Sequence, residues 1–243
     1  MMAEPENRKT IVLTGASRGI GHATVKRFSR EGWRVITCSR QAFAENCPWP
    51  AGPEDHIKVD LSDPEDVGGA VAEIRHRLEE NGGHLHALVN NAAIFEPLGW
   101  DQTTLEEWDR HLRVNLTAPF LLSQAFARSL GDGEHGRIVN LLDWRALRPG
   151  PDHLPYTISK AALAGLTRSL AAALAPRVTV NGLALGASLP PSSGSAPANL
   201  MDTIPAGRWA DLEEVAQAML FLLEGPDYIT GEILHVDGGR HLV

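Results

Sequence analysis

Short β-branched and aliphatic runs alternate along this chain with longer stretches of helical spacing, and that alternation decides the fold class. TIVLT at Thr10–Thr14 reads as a buried strand, with a helix over 20–31 behind it. Further strands are expected at 34–38, 57–60, 87–90, 137–142, 178–183 and 232–236, with helices over 64–80, 105–130, 154–174 and 212–223. In 64–80, Pro64 suits a first turn, and Val67, Val71, Ile74 and Leu78 recur at helical spacing. Nearly continuous apolar strands need cover on both faces, which a parallel sheet with right-handed helical crossovers provides. The expected fold is α/β: one domain over 1–243, a doubly wound parallel sheet of about seven strands with helices on both faces. Residues 1–9 are expected to be a flexible tail, and no linker or repeat divides the rest.

Composition narrows the function. Hydrophobic residues make up 43% and charged residues 21% of 243, enough apolar material for a core. A net charge of -8 without a basic patch argues against nucleic acid as a partner, so any bound anion must be held by a local device. Cys38 and Cys47 have no metal-ligand neighbours, no histidine pattern points to a metal, and both cysteines read as free thiols of a reducing compartment. Residues 1–9 are polar rather than signal-like, and no apolar run is long enough to span a membrane, so a cytoplasmic protein is expected.

The anion-holding device is Thr14-Gly15-Ala16-Ser17-Arg18-Gly19-Ile20-Gly21, between the first strand and the first helix. Gly15 permits a tight turn, Gly19 a close backbone approach to a pyrophosphate, and Gly21 close helix packing, with the phosphates on helix N-terminal amides. After the second strand come Ser39 and Arg40, with no acid to hold a ribose 2′-hydroxyl. Arg40 and Arg18 can instead clamp a 2′-phosphate, which favours NADPH over NADH. Asp60 and Leu61 are placed to meet the adenine, and Asn91, Ala92 and Ala93 end the fourth strand with small residues against the nucleotide. The Pro/Ser/Gly-rich stretch 187–199 follows a strand's carboxyl end. It reads as part of a substrate lid over 187–205, with Leu189 facing substrate.

Tyr156 and Lys160 sit at i and i+4 of one helix, so a phenol lies beside an ammonium that can stabilise its phenolate. TGASRGIG, NNAA, Asn115 in RVNL, the Tyr156/Lys160 pair and Val180-Asn181-Gly182 follow one another in the order and rough spacing of the short-chain dehydrogenase/reductase family. The chain resembles that family from Thr10 to Gly239. The resemblance implies a Rossmann-type fold, a nicotinamide cofactor, proton transfer by Tyr156, contact of Lys160 with the nicotinamide ribose, and a water-linked proton relay held by Asn115.

One departure is informative. The family's catalytic serine stands thirteen residues before its tyrosine, and that position is Asp143 here. An ionised Asp accepts but cannot donate. Either Asp143 is protonated, or the substrate brings N–H donors. The sequence resembles pteridine reductases and bacterial dihydromonapterin reductases, which carry Asp at this place. That resemblance implies a pterin ring stacked by Phe95, with Ser188 on the cofactor side; Gly186 is expected beside it at the cofactor, and Trp144 and Arg145, following Asp143, are expected to line the pocket. The ending Asp237-Gly238-Gly239-Arg240-His241-Leu242 is similar as well. In those enzymes an Arg stands where this chain has Gly19, and Pro-Gly where it has Leu185-Gly186. Three functions remain in view: an NADPH-dependent reductase of a pterin-like heterocycle, a carbonyl reductase using a neutral Asp143, and a non-catalytic NADPH sensor. The family implies a homo-oligomer, tetramer or dimer, packed through the helices starting near Leu105 and Leu154, with Leu242 and Val243 available to the interface.

Overall fold

The computed structural model describes residues 8–41, 53–80, 85–189 and 199–243. Cys47, most of the expected N-terminal tail and the middle of the expected lid lie outside them. Seven strands form one parallel sheet: β1 (Thr10–Thr14), β2 (Arg34–Ser39), β3 (His56–Lys58), β4 (Leu85–Asn90), β5 (Gly136–Asp143), β6 (Val178–Leu185) and β7 (Ile233–Val236). Their order is β3-β2-β1-β4-β5-β6-β7. The chain first winds outward from β1 to β3, then crosses back to lay β4 against β1. That reversal opens a crevice at the carboxyl ends of β1 and β4, where the sequence places the glycine turn and Asn91.

Strand alternation supplies two cores. Val12, Leu88, Ile138 and Val180 belong to one, with Val67, Ile74, Leu122 and Phe126 of α2 (Pro64–Glu80) and α4 (Ala118–Ser129). Ile11, Leu13, Val89 and Leu183 belong to the other, with Val25, Phe28, Val215 and Met219 of α1 (Gly19–Arg30) and α6 (Leu212–Glu224). Residues one apart in β1 therefore serve opposite layers, which is why Ile11, Val12 and Leu13 are apolar in succession.

Two elements differ from expectation. The helix expected over 105–130 is interrupted: α3 (Leu105–Leu112) passes through a π turn at Arg113–Thr117 before α4 begins. The third strand ends at Lys58, because Asp60 leaves the ladder and folds its carboxylate onto Ser62 N and Oγ, at 2.9 and 2.7 Å.

Glycines in helices separate into two kinds. A Cβ built on Gly21 would lie 2.2 Å from the Gly15 carbonyl oxygen, whereas one on Gly68 in α2 meets nothing within 4 Å. Gly21→Ala is expected to destabilise the fold by about 3 kcal/mol, since backbone must move. Gly68→Ala should stabilise it by about 1 kcal/mol through helix propensity and lost unfolded-state entropy. Thermal melts of the two variants should shift in opposite directions. A shared direction would mean that the glycine turn has room to yield.

Candidate active site

The site lies where β1, β4, β5 and α5 (Leu154–Leu174) end or begin. Thr14 joins the first two: its hydroxyl accepts from Asn91 N and Ala92 N, both at 3.0 Å. Asn91 replies with its side-chain amide, donating to the Thr14 and Gly15 carbonyls at 2.7 and 3.0 Å. Asn91 thus braces the glycine turn. A Cβ on Gly15, held at φ +71°, would be 2.8 Å from Ala92 Cα.

This cradle fits a dinucleotide. Gly15 and Gly19 both have positive φ, at 71° and 56°, a region that favours glycine. Helix α1 has no side-chain cap and no acid in its first turn, unlike α3 and α6, which Thr104 and Asp211 cap. Its first amides are left for an anion. Ser17, Arg18 and Arg40 are exposed, Ile20 is half-buried, and Ser39 is half-buried with its hydroxyl on Gln41 O at 3.1 Å.

Several of the expected ligand-contacting residues also have structural partners. Leu61 is buried in the core. The Asp60 carboxylate is engaged by Ser62, whose two hydrogen bonds hold it below its ordinary pKa, with Arg40 adding to the effect. A Cβ on Gly186 would lie 2.6 Å from Asp237 Cα, so this glycine allows a tight crossing to the segment after β7. Ser188 is buried, its hydroxyl on Gly186 O at 3.4 Å. Leu189, expected over substrate, lies instead against the phosphate turn: its Cδ1 is 2.8 Å from where a Gly19 Cβ would be. The positive φ of Gly19 suits glycine better than the Arg found at this place in the pteridine reductases.

The chemical groups converge from β5 and α5. Tyr156 donates to Asp143 Oδ2 at 3.1 Å, and Arg145 N donates to Asp143 Oδ1 at 2.9 Å, so both carboxylate oxygens accept. Burial pushes the Asp143 pKa up, against the opposing pull of Arg145, Tyr156 and Lys160. Burial also raises the Tyr156 phenol well above its ordinary value, with the Asp143 charge adding to it. Lys160 is buried and donates to Leu141 O at 2.6 Å; burial lowers its pKa to about 8. Its ammonium stands 5.9 Å from the Tyr156 ring centroid. The expected phenolate stabilisation is therefore absent from this geometry: the nearest polar neighbour of the phenol is a carboxylate, which keeps the proton on Tyr156.

Asn115 sits fully buried in the π turn. Its amide donates to Ile94 O and Ser159 Oγ at 3.0 and 2.9 Å, and its oxygen accepts from Ile94 N at 2.8 Å. With both N–H bonds engaged, the side chain clamps the loop after β4 to α5. Its side chain is a positioning group here.

That clamp fixes Phe95, whose edge meets Tyr156 at 4.7 Å and 79°. One face of Phe95 stacks on His153 at 4.2 Å and 11°, yet Phe95 stays 52% exposed. His153 adopts left-handed backbone (φ 53°), a costly conformation for a non-glycine, and bonds Asp152 at 3.0 Å. Trp144 is half-buried beside Asp143. His153 and Glu96 escape a motif reading, because they lie in irregular segments that only folding brings to the site. Among the described residues Glu96, Glu107 and His111 have metal-ligating atoms within 4.8 Å of one another, but Arg110 already pairs with both carboxylates at 2.5 Å. The sequence hid this cluster by dividing it between a loop and α3.

A family model described as enoyl-(acyl carrier protein) reductase matches residues 15–241. Protein FixR of Bradyrhizobium diazoefficiens is 43% identical over 245 residues, covering 96% of this chain and 87% of FixR. A Brucella ovis oxidoreductase of the short chain dehydrogenase/reductase family, solved with a partially ordered NAD, is 47% identical with a TM-score of 0.79, covering 95% of this chain and all of that one. FolM alternative dihydrofolate reductase 1 of Brucella canis, solved with NADP, is 31% identical with a TM-score of 0.83, covering 100% of this chain and 97% of that one. The chain belongs to the short-chain dehydrogenase/reductase family and is an NAD(P)-dependent oxidoreductase. Among the described residues no helix is long and apolar enough to cross a membrane.

Proposed function

We propose that this protein is an NADPH-dependent reductase of a pterin-like or related heterocycle, acting in the cytoplasm as a homo-oligomer. The observation that carries the reading is the hydrogen-bonded pair Asp143–Tyr156 set against the exposed ring of Phe95. Gly15, Ser17, Arg18, Gly19, Ile20 and Gly21 would hold the pyrophosphate side of NADPH, with Arg18 and Arg40 on its 2′-phosphate. Ala92 and Ala93 would lie along the nucleotide. NADPH supplies a hydride when bound.

The protein's part is binding, orientation and one proton. Phe95 offers its open surface to a planar ring. Asp143, acceptor at both oxygens, holds ring N–H groups. Tyr156 carries its proton at neutral pH and can deliver it to a ring nitrogen. Lys160, buried beside Tyr156 with its pKa lowered by burial to about 8, would contact the nicotinamide ribose. FolM alternative dihydrofolate reductase as a relative, and Asp143 in place of a serine, support the same substrate class.

The raised pKa of Asp143 favours one other reading, a carbonyl reductase in which a neutral Asp143 donates to the ketone oxygen. NADPH consumption with dihydrobiopterin, run beside a panel of ketones and aldehydes, separates the two. The pterin reading expects turnover on dihydrobiopterin and little on the panel. Turnover confined to the carbonyl compounds would overturn it, and Asp143→Ser should then remain active.

A further inference from the structure

Arg240 is a cation at the site's rim without an obvious counterion. It opens the short 3-10 turn Arg240–Leu242 behind β7, and its guanidinium lies 4.2 Å from the centroid of the Trp144 ring. Among the described residues it makes no side-chain hydrogen bond and has no carboxylate within ion-pair distance. Arg145 also lies against Trp144, with its guanidinium carbon 5.0 Å from the ring centroid. Arg145 is already committed: to Asp152 at 3.0 Å and, more distantly, to Asp143 at 3.8 Å. Partial burial and the neighbouring Arg145 disfavour the charge on Arg240, and the more distant carboxylates of Asp143, Asp152 and Asp237 offset this only in part.

A part-buried guanidinium held beside a second one, with no carboxylate in ion-pair contact, is an arrangement that can recognise an anion. Its place decides which anion. Trp144 is the residue after Asp143, and Asp143 bonds Tyr156, so Arg240 stands on the substrate's side of the chemistry. The glycine turn that would take the cofactor's phosphates is built from β1 and α1 instead.

We infer that Arg240, stacked on Trp144 and supported by Arg145, forms an anion subsite for a carboxylate carried on the substrate, outside the ring that is reduced. Resting on the pterin reading, this narrows the substrate class to a planar heterocycle with an acidic tail. The guanidinium fork takes the carboxylate through paired N–H bonds, while the indole keeps the fork flat and partly dry.

The test compares dihydrofolate, whose tail bears carboxylates, with dihydrobiopterin, whose tail is uncharged. Arg240→Gln should lower the ratio of their kcat/KM values by about ten- to a hundredfold, the range for a charged hydrogen-bonded contact. Arg240→Lys should restore part of it, and added salt should erode the wild-type preference. A ratio unchanged in Arg240→Gln would overturn the subsite. Titration calorimetry with 4-aminobenzoylglutamate, the tail alone, gives a readout independent of turnover: binding to wild type and its loss in Arg240→Gln are expected. Binding of that tail equally to both proteins also overturns the proposal. If neither pterin is turned over but the tail binds through Arg240, the pterin reading falls and the anion subsite stands.

Discussion

Replacing Tyr156 by Phe is expected to lower kcat by about two to four orders of magnitude while KM changes little. The phenol is the acidic O–H of the site, donating to Asp143 at 3.1 Å, whereas the ring packs edge-on to Phe95 and should remain there. Asp143→Ala should fall less far, because it removes the acceptor that orients the proton but not the proton itself. It should also bring the phenol pKa down, since the Asp143 charge is one of the influences raising it. The pH–rate profiles of wild type and Asp143→Ala, with Tyr156→Phe as the floor, check this order. If Tyr156→Phe retained turnover within a few-fold of wild type, proton delivery would belong to another group and the mechanism would fail.

The second large effect has opposite signs for activity and stability. Lys160→Met should abolish most turnover yet stabilise the protein without ligand by about 2–3 kcal/mol at neutral pH. Burial holds the Lys160 pKa at about 8 against 10.5 for a free lysine, so charging it inside the fold is costly. With a folded pKa below the unfolded one, the stability contribution is fully present above 10.5. It shrinks as pH falls, and is lost once pH has passed through about 8. The gap in Tm between Lys160→Met and wild type should therefore be widest below pH 8 and close towards pH 10.5. A Met variant less stable than wild type throughout would mean that the bond to Leu141 O outweighs desolvation. The retention of a costly ammonium here is what a function-bearing lysine predicts.

Much of this architecture is legible from local pattern. TIVLT and RVITC carry apolar residues at neighbouring positions (Ile11–Leu13, Val35–Ile36) because both faces of the sheet are covered, and the glycine turn sits between a strand and a helix where the fold needs it. The Tyr156/Lys160 pair is legible for the same reason, being set by one helix. Less legible are contacts that join distant segments. Asn90 donates to Asn140 at 2.8 Å, and Asn140 to Thr167 at 2.9 Å, a buried polar line from β4 through β5 to α5. Each of those residues alone reads as a turn former or a surface group. Arg240 is likewise one more charge near a chain end until β7 brings it onto Trp144. Asn115 was visible by motif, but its role follows from the π turn and from Ile94, which no spacing rule pairs with it.

The π turn has a consequence for the phase of the long helical region. An α-helix advances about 100° per residue, so one extra residue in a turn rotates everything beyond it by that angle. Leu122 and Phe126, the buried residues of α4, therefore stand at the angular positions that Leu121 and Ala125 would take in an uninterrupted helix grown from α3. The hydrophobic stripes of α3 and α4 belong to two different frames joined at Asn115. Deleting one residue between Arg113 and Thr117 would therefore regularise the helix and leave Leu122 and Phe126 facing the sheet, while displacing the Asn115 clamp.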